Sequence, residues 1–258
     1  MNRSKLLYLM MGALAGLLIG FVFTNTINRR DHDEMRAELE RLRAATSTRA
    51  GEENVGGNSG DDPAVPRVSD EQLRGAIARA DSTPNDLDIQ RNLGRNLYFY
   101  ASYTNDADIF PEAVRLLQRA HEGDPKNYEA TLYLAHALLA MARTTDPNCF
   151  EDARLVYQQA LRMKPDDPNV HTGLGMTYFF DKPSDPQRAI DEYRQALALD
   201  ARHEQTLQNL ASALIAVGDT TEAQKTIEEL KSVNDQNPAL PDIEAQLIQS
   251  RNTARERN

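Results

Sequence analysis

The sequence predicts an all-α protein, in which a solenoid of helical hairpins follows an N-terminal transmembrane helix, a short juxtamembrane helix and a flexible linker. Three observations support this fold class. Small residues recur at a regular spacing from about residue 85 onwards, an uncharged apolar stretch occupies residues 6–24, and a glycine-rich polar segment lies between them. A recurrence that settles near 34 residues is typical of helical repeat architectures.

The second helix of each predicted hairpin carries two small residues seven positions apart, followed five positions later by a helix-ending residue. Two helical turns bring the small residues to one face, where a neighbouring helix can approach closely. A proline then ends the helix, because it has no N–H and its ring clashes with the preceding turn. The copies are Ala113, Ala120 and Pro125; Ala153, Ala160 and Pro165; Ala189, Ala196 and Ala201; and the degenerate Ala223, Leu230 and Asp235.

The first helix of each hairpin has its own small residue, preceded by leucine and followed three positions later by a large apolar residue. These small residues are Gly94, Ala135, Gly175 and Ala211. The combined pattern resembles the tetratricopeptide repeat family over roughly residues 85–235, as four repeats. Two features depart from the family pattern. The aromatic residue that often opens the first helix is missing, and the fourth copy lacks its second alanine and its proline.

Additional helices are predicted to close the solenoid (68–253) at both ends. Ser69 is a suitable N-cap for a capping helix over 68–81, and a second capping helix is predicted over 239–253, before a short tail (254–258). Such caps are expected because a stack of hairpins otherwise exposes apolar end faces. The first two repeats also hold six or seven extra residues, which we expect to lengthen their first helices and turns.

Residues 6–24 are predicted to form an uncleaved membrane anchor behind a basic tip (1–5). The stretch has no charged residue, and at about 1.5 Å per residue it spans about 28 Å, close to the hydrocarbon thickness of a bilayer. The alternative is a cleaved secretory signal, whose apolar core is usually shorter and ends at a small–x–small site. The following residues contain no such site and no lipobox cysteine.

Basic residues on both sides of the anchor leave two orientations open. Five arginines follow the apolar stretch, and a strict positive-inside count would hold the solenoid in the cytoplasm. A short basic tip before an apolar core is, however, how an export signal begins. We expect a single-pass protein of the bacterial inner (plasma) membrane, with its repeats exported to the periplasm.

Three glycines within the predicted anchor are spaced four residues apart. Stacked glycines allow two membrane helices to approach closely, so this face is a candidate for homodimerisation. The alternative is that they reflect only the general frequency of glycine in membrane helices. The three residues are Gly12, Gly16 and Gly20.

The anchor is followed by a predicted juxtamembrane helix (28–45) and a predicted flexible linker (46–67). Met35, Leu39 and Leu42 have the spacing of a short coiled-coil seam. The linker is rich in glycine and poor in apolar residues, so it cannot offset the entropy of ordering. The repeats are therefore expected to be tethered to the bilayer without being docked on it.

Composition and motifs exclude several classes of function. The net charge is −10 and the excess of acid lies after residue 50, which argues against nucleic-acid binding through the phosphate backbone. Cys149 is the single cysteine, so it cannot form an internal disulfide, and the five histidines lack metal-ligand spacing. Phosphate-loop, nucleophile-elbow and zinc-protease motifs do not occur in the sequence. We predict a protein without catalytic residues, metal or cofactor.

The family resemblance implies candidate partner-binding positions on the first helices, which line the concave groove in such repeats. Arginine meets carboxylates bidentately, while aromatic and methionine side chains supply apolar pockets. The alternative is that the aromatic residues pack between helices as core. The candidates are Arg91, Arg95, Tyr98, Phe99, His136, Thr172, Met176, Phe179, Phe180, Gln208 and Ser212.

From these features we expect a membrane-tethered module that binds a protein or peptide client in its groove. The layout of anchor and repeats is similar to that of the repeat-containing subunits of bacterial cytochrome c maturation systems, which implies a role in assembly or biogenesis. A second hypothesis is a self-associating structural scaffold of the cell envelope.

Overall fold

The computed structural model describes residues 68–256, and in this range all regular structure is helical. Ten α-helices follow one another, with a single 3₁₀ turn at Ala107–Ile109 between the second and third. The helices are α1 (Asp70–Ser82), α2 (Leu87–Thr104), α3 (Phe110–Gly123), α4 (Tyr128–Thr144), α5 (Cys149–Met163), α6 (Pro168–Phe180), α7 (Pro186–Leu199), α8 (Glu204–Val217), α9 (Thr220–Val233) and α10 (Leu240–Glu256).

The helices pair in sequence order as four hairpins that stack into a solenoid. The most extensive contacts lie within the pairs α2–α3, α4–α5, α6–α7 and α8–α9, and each hairpin also packs on the next. Short connections make consecutive helices antiparallel neighbours. The predicted all-α repeat solenoid is therefore confirmed for the described part of the chain.

Polar side chains fix where the helices begin. Ser69 caps α1 in a reciprocal capping box with Gln72, as the sequence predicts. Asp86, Asn127 and Asp167 accept hydrogen bonds from backbone N–H groups in the first turns of α2, α4 and α6. These caps satisfy donors that the helix itself leaves without a partner, so each hairpin starts at a defined residue.

Two of the hairpins close on a contact between the glycine of the first helix and a large side chain of the second. Gly94 faces Leu117, and Gly175 faces Tyr193. A Cβ atom added at Gly94 would lie 2.7 Å from the Leu117 side chain, and one at Gly175 would lie 2.5 Å from the Tyr193 ring. The helices thus approach more closely than any side chain at these positions would allow.

The first two repeats have the longest first helices. α2 has 18 residues and α4 has 17, whereas α6 has 13 and α8 has 14. The extra residues of these repeats therefore lengthen the first helices, as expected, and continue into the 3₁₀ turn after α2. Asn105 follows the last residue of α2 and adopts a left-handed conformation with φ of 56°, a conformation that asparagine tolerates well.

The degenerate fourth repeat keeps its hairpin without the usual alanine and proline. Leu230 takes the place of the alanine and is fully buried. Asn234 and Asn237 both donate side-chain hydrogen bonds to Glu204 Oε1, at 2.6 and 2.7 Å. These hydrogen bonds hold the turn after α9 against α8 in a repeat that has no proline at the usual position. α10 then covers the end of the stack, where Ile243 is buried.

The predicted N-terminal elements (1–5, 6–24, 28–45 and 46–67), including Gly12, Gly16 and Gly20, lie outside the described residues. Among residues 68–256, no helix is both long enough and apolar enough to cross a membrane.

We predict opposite effects for alanine at two helical glycines. Gly175→Ala forces a Cβ against the Tyr193 ring, so it is expected to lower the free energy of unfolding by about 1–3 kcal/mol. Gly75→Ala, in α1 with no atom within 4 Å of the added carbon, is expected to raise it by up to about 1 kcal/mol. Urea denaturation of the full chain, followed by circular dichroism, measures both. Equal effects would contradict the packing described here.

Candidate functional site

The first helices of the hairpins lie on the inner side of the solenoid. α2, α4 and α6 each contact the next first helix directly, in addition to their own partners, and α8 contacts the final helix α10. Second helices pack mainly against first helices. In a curved stack of hairpins, helices on the inner side lie closer to one another than helices on the outer side. The first helices therefore line the concave surface.

Arg91 and Arg95 project from α2 toward a carboxylate of the next repeat. Arg91 Nε lies 3.3 Å from Glu129 Oε2, and Arg95 forms a close ion pair with the other oxygen of Glu129. Arg91 also pairs with Asp88 at 2.8 Å. The two arginines predicted to recognise a client carboxylate are thus brought together, but around an acidic residue of the protein itself. An incoming carboxylate would share them with Glu129.

An aromatic cluster continues the surface from α2 to α4. The Tyr98 ring stacks on His136 with centroids 6.0 Å apart, and it lies 6.3 Å from the Tyr133 ring. Phe99 meets Tyr133 edge-on at 5.4 Å. Such tilted and stacked pairs stabilise the packing beyond their buried area. Tyr133 was not among the predicted residues, because it stands two positions before the small residue rather than in a flanking position.

Arg143 extends the surface toward the third repeat and was also missed. Its guanidinium carbon lies 4.5 Å from the centre of the Phe180 ring, within the range of a cation–π interaction. Phe180 in turn packs edge-on against Phe179 at 5.0 Å. Burial lowers the pKa of Arg143 to about 9. The sequence feature that could have indicated Arg143 is the insertion in the second repeat. This insertion lengthens α4, so that its last turn lies over α6.

Four of the candidate groove residues are buried in the structure. The first helices approach so closely that these positions fall between them instead of facing the groove. Thr172 Oγ1 lies 2.6 Å from Thr206 Oγ1 on the next first helix. Phe179, Phe180 and Ser212 are half-buried. The exposed fractions of the four residues are 9% for Phe99, 1% for Thr172, 4% for Met176 and 3% for Gln208.

A chain of buried hydrogen bonds joins the third and fourth repeats. His203 Nε2 lies 3.0 Å from Asn169 Oδ1, and His203 Nδ1 lies 2.6 Å from Thr206 Oγ1, which reaches Thr172. Burial lowers the pKa of His203, so the ring is neutral at pH 7. Each polar atom in this chain has a partner, which makes the joint between α6 and α8 specific as well as tight.

Repeats two and three place different residues beside equivalent tyrosines. Tyr157 and Tyr193 both stand four positions after the first alanine of their helices and are fully buried. His136 Nδ1 lies 2.7 Å from the Tyr157 hydroxyl. Met176 occupies the position of His136 in the third repeat, and the Tyr193 hydroxyl has no hydrogen-bond partner among the described residues. Only the second repeat therefore has a polar pair at this place.

The described residues offer little that resembles a reactive centre. No group of three or more histidine, cysteine, aspartate or glutamate residues between 68 and 256 could hold a metal ion. Cys149 is buried, and burial raises the pKa of its thiol to about 11. A polar cleft of about 610 Å³ opens beside Arg91, between the start of α2 and the start of α4.

Comparisons with known proteins agree with this geometry. A tetratricopeptide repeat family model matches residues 183–247. The chain also superposes on solved structures of low sequence identity. The chain has the tetratricopeptide repeat fold. The matched structures are MamA (TM-score 0.51, 19% identity, 66% of this chain and 90% of that chain), MamA of Desulfovibrio magneticus RS-1 (0.53, 17%, 79% and 94%) and a thermophilic tetratricopeptide repeat protein of Thermus thermophilus (0.52, 18%, 70% and 89%).

A curated protein resembles part of this chain in sequence. It is named as the probable biofilm formation methyltransferase WspC of Pseudomonas putida (strain KT2440), and it is 31% identical over 112 residues. The match covers 43% of this chain and 24% of the relative. The chain therefore spans about a quarter of the length of the curated relative that it matches.

We predict that removing the hydroxyl costs more at Tyr157 than at Tyr193. Tyr157→Phe leaves His136 Nδ1 without its partner, which is expected to lower the free energy of unfolding by about 1–3 kcal/mol. Tyr193→Phe removes a hydroxyl that makes no hydrogen bond, so its effect is expected to be near zero or stabilising. The urea concentrations at the unfolding midpoints of the two variants measure this difference. A larger loss of stability for Tyr193→Phe than for Tyr157→Phe would contradict the hydrogen bond assigned to Tyr157.

Acid is predicted to destabilise the fold through His136. Burial lowers its pKa to about 4, while the unfolded chain binds a proton near pH 6.5. The contribution of the neutral ring is present above about pH 6.5 and is lost as the pH falls toward 4. Burial also lowers the pKa of His203, so its contribution to stability is likewise lost as the pH falls. Glu192 instead raises the pKa of His171, so the contribution of His171 to stability is lost as the pH rises.

The pH dependence of the melting temperature checks this assignment. The His136→Gln variant is expected to show a flatter decline between about pH 6.5 and 4 than the unaltered chain, whatever its stability at neutral pH. Parallel curves for the two proteins would assign the acid sensitivity to other groups.

Proposed function

We propose that this protein is a membrane-tethered interaction module that binds a protein or peptide client on its concave surface. The observation that carries the proposal is a continuous surface of half-buried cationic and aromatic side chains across the first three repeats. We call it the cation–aromatic surface, and it comprises Arg95, Tyr98, Tyr133, His136, Arg143 and Phe180.

The composition of the cation–aromatic surface supports protein recognition. Tyrosine and arginine dominate the energetics of protein interfaces, since each gives a large contact area with directional polar groups. The arginines and rings already contact one another, with the Arg95 guanidinium 5.9 Å from the Tyr133 ring centre. A surface held in place by its own contacts loses less entropy when a client binds.

The sequence supports a tether to the bacterial inner membrane, with the repeats exported. An uncharged stretch at 6–24 and a glycine-rich linker at 46–67 would keep the surface close to the membrane and raise its effective concentration toward membrane clients. The similarity to the repeat subunits of cytochrome c maturation systems suggests one client class, an unassembled protein delivered for maturation.

We propose no catalytic step for this chain. The partial match to a protein named as a probable methyltransferase is compatible with a shared repeat segment, because it covers less than half of this chain and a quarter of that protein. The buried hydrogen bonds described above join helices of the solenoid to one another rather than surround an open site.

The proposal is tested by client capture with matched variants of the full chain. Tyr98→Ala combined with Phe180→Ala is expected to weaken retention of captured proteins by a factor of about 100 or more, since interface aromatic residues often contribute about 2 kcal/mol each. The control is Leu155→Ala, at an exposed leucine on second helix α5, which is expected to leave retention unchanged. Folding of each variant is checked by circular dichroism.

Two outcomes would contradict the proposal. Equal loss in the double variant and in Leu155→Ala would show that retention does not depend on the concave surface. The second hypothesis is a scaffold built through the glycine-spaced anchor. It would be favoured if the full chain self-associated, if Gly16→Ile abolished this self-association, and if no client were retained.

A further inference from the structure

The last helix of the solenoid, α10, starts in the same way as the first helix of a hairpin. Before α6, the Asp167 side chain accepts a hydrogen bond of 2.9 Å from the Asn169 N–H. Before α10, the Asn237 side chain accepts one of 2.8 Å from the Ala239 N–H, and a proline follows each of these two capping residues. The equivalent starts align α10 with α6 residue by residue, so α10 is the first helix of a fifth repeat.

The alignment places Ala245 at the small position of α10, where α6 has Gly175. Both residues stand eight positions after the capping residue, and Ala245 follows Ala211 of the fourth repeat by 34 positions. Gly175 is covered by the Tyr193 ring of its own second helix. Ala245 is exposed, and Ile248, three positions later, is 59% exposed. The side of α10 on which a second helix would pack is therefore open in the described part of the chain.

The opposite end of the solenoid is formed by α1, which has the features of a second helix. Ala80 is buried, and its carbonyl accepts the hydrogen bond that ends α1, as the Ala120 carbonyl does at the end of α3. Counted back from these alanines, Ile77 of α1 aligns with Leu117 of α3. Leu117 is fully buried against α2, whereas Ile77 is only half-buried. Between residues 68 and 256, α1 therefore has no first helix of its own.

The two ends of the solenoid are complementary halves of one hairpin. α10 presents a small residue without a large one to face it, and α1 presents a large residue without a small one. Their contact would repeat the meeting of Gly175 and Tyr193 in the third hairpin, and it would continue the contacts that join successive first helices. A second copy of this chain carries both missing helices in the required register, so it is the partner that fits each end.

We propose that α10 of one copy packs antiparallel against α1 of a second copy, with Ala245 facing Ile77 and Ile248 next to Leu73. The contact joins unlike ends, so each copy keeps a free end to which a further copy can add. The concave surface then continues from one copy into the next. This inference goes beyond the proposed function, because it concerns the ends of the solenoid and not the residues that receive a client.

Photo-crosslinking of the full chain in detergent micelles tests the contact. The crosslinker p-benzoyl-L-phenylalanine is placed at position 248, and the control places it at position 155, where Leu155 is 52% exposed on α5. Position 248 is expected to give about tenfold more product than position 155, in species of two, three and more chains, because contacts between unlike ends do not stop at a pair. Mass spectrometry is expected to locate the links in α1. Equal yields, or links from position 248 to α10 of another chain, would overturn the proposal.

Isotope labelling separates a contact between two chains from a contact within one. Unlabelled and ¹⁵N-labelled chains are mixed before illumination, and linked peptides are expected to join light to heavy chains as often as like to like. Peptide pairs that are all wholly light or wholly heavy would overturn the contact between copies.

A charge variant measures how much the open side of α10 contributes to association. Ile248→Arg is expected to raise the dissociation constant by a factor of about 10 or more, since burying an isoleucine side chain contributes at least that factor. Leu155→Arg adds the same charge at an equally exposed position and is expected to leave association unchanged. All chains also carry Gly16→Ile, which removes association through the predicted anchor. Sedimentation velocity over a range of concentrations measures the constants, and equal effects of the two variants would overturn the proposal.

A mixture of two variants tests the direction of the contact. Ile77→Arg blocks the α1 end, Ile248→Arg blocks the α10 end, and each variant alone is expected to stay monomeric in the Gly16→Ile chain. Together they are expected to form pairs and nothing larger, because the mixture retains one free end of each kind. Circular dichroism checks that Ile77→Arg is folded, and Leu73→Arg is the second variant for the same end. Two folded variants that form no pairs when mixed would overturn the proposal.

Discussion

The solenoid depends on the close contact that joins the two helices of each hairpin. Where the first helix has glycine, as at Gly94 and Gly175, the large side chain of the second helix enters the space that a Cβ would occupy. This contact sets the distance between the helices, and the distance sets how far the first helices stand from one another. The concave surface is a consequence of that spacing, because its residues project from positions adjacent to the small ones.

The concave surface changes character along the stack. In the second repeat, His136 stands beside Tyr157 and makes a polar pair, and the lengthened α4 carries Arg143 over the next hairpin. In the third repeat, Met176 takes the position that His136 has in the second. The first helices α6 and α8 contact each other there through the hydroxyl groups of Thr172 and Thr206. The cationic and aromatic residues are therefore concentrated in the first half of the solenoid, and the second half is mainly a packed support.

The fold could be predicted from the sequence because its determinants are local and repeated. Seven-residue spacing of alanines, the prolines after them and the Ser69 cap each act within a few turns of helix. The binding surface could be predicted less well, because exposure depends on how closely successive first helices approach. That distance placed Thr172 and Gln208 in the interior, and it brought Glu129 against the two arginines expected to receive a client. Tyr133 and Arg143 were missed for the same reason, since their environment comes from neighbouring repeats.

The hydrogen-bond chain from Asn169 through His203 and Thr206 to Thr172 has a mechanical consequence. Bending the stack at this joint would stretch several short, directional bonds in a dry interior at once, and such bonds tolerate little distortion. The joint between α2 and α4 is instead spanned by ring contacts and by ion pairs of half-exposed side chains, which keep most of their energy over a wider range of angles. The joint between α6 and α8 is therefore expected to resist bending more strongly than the joint between α2 and α4.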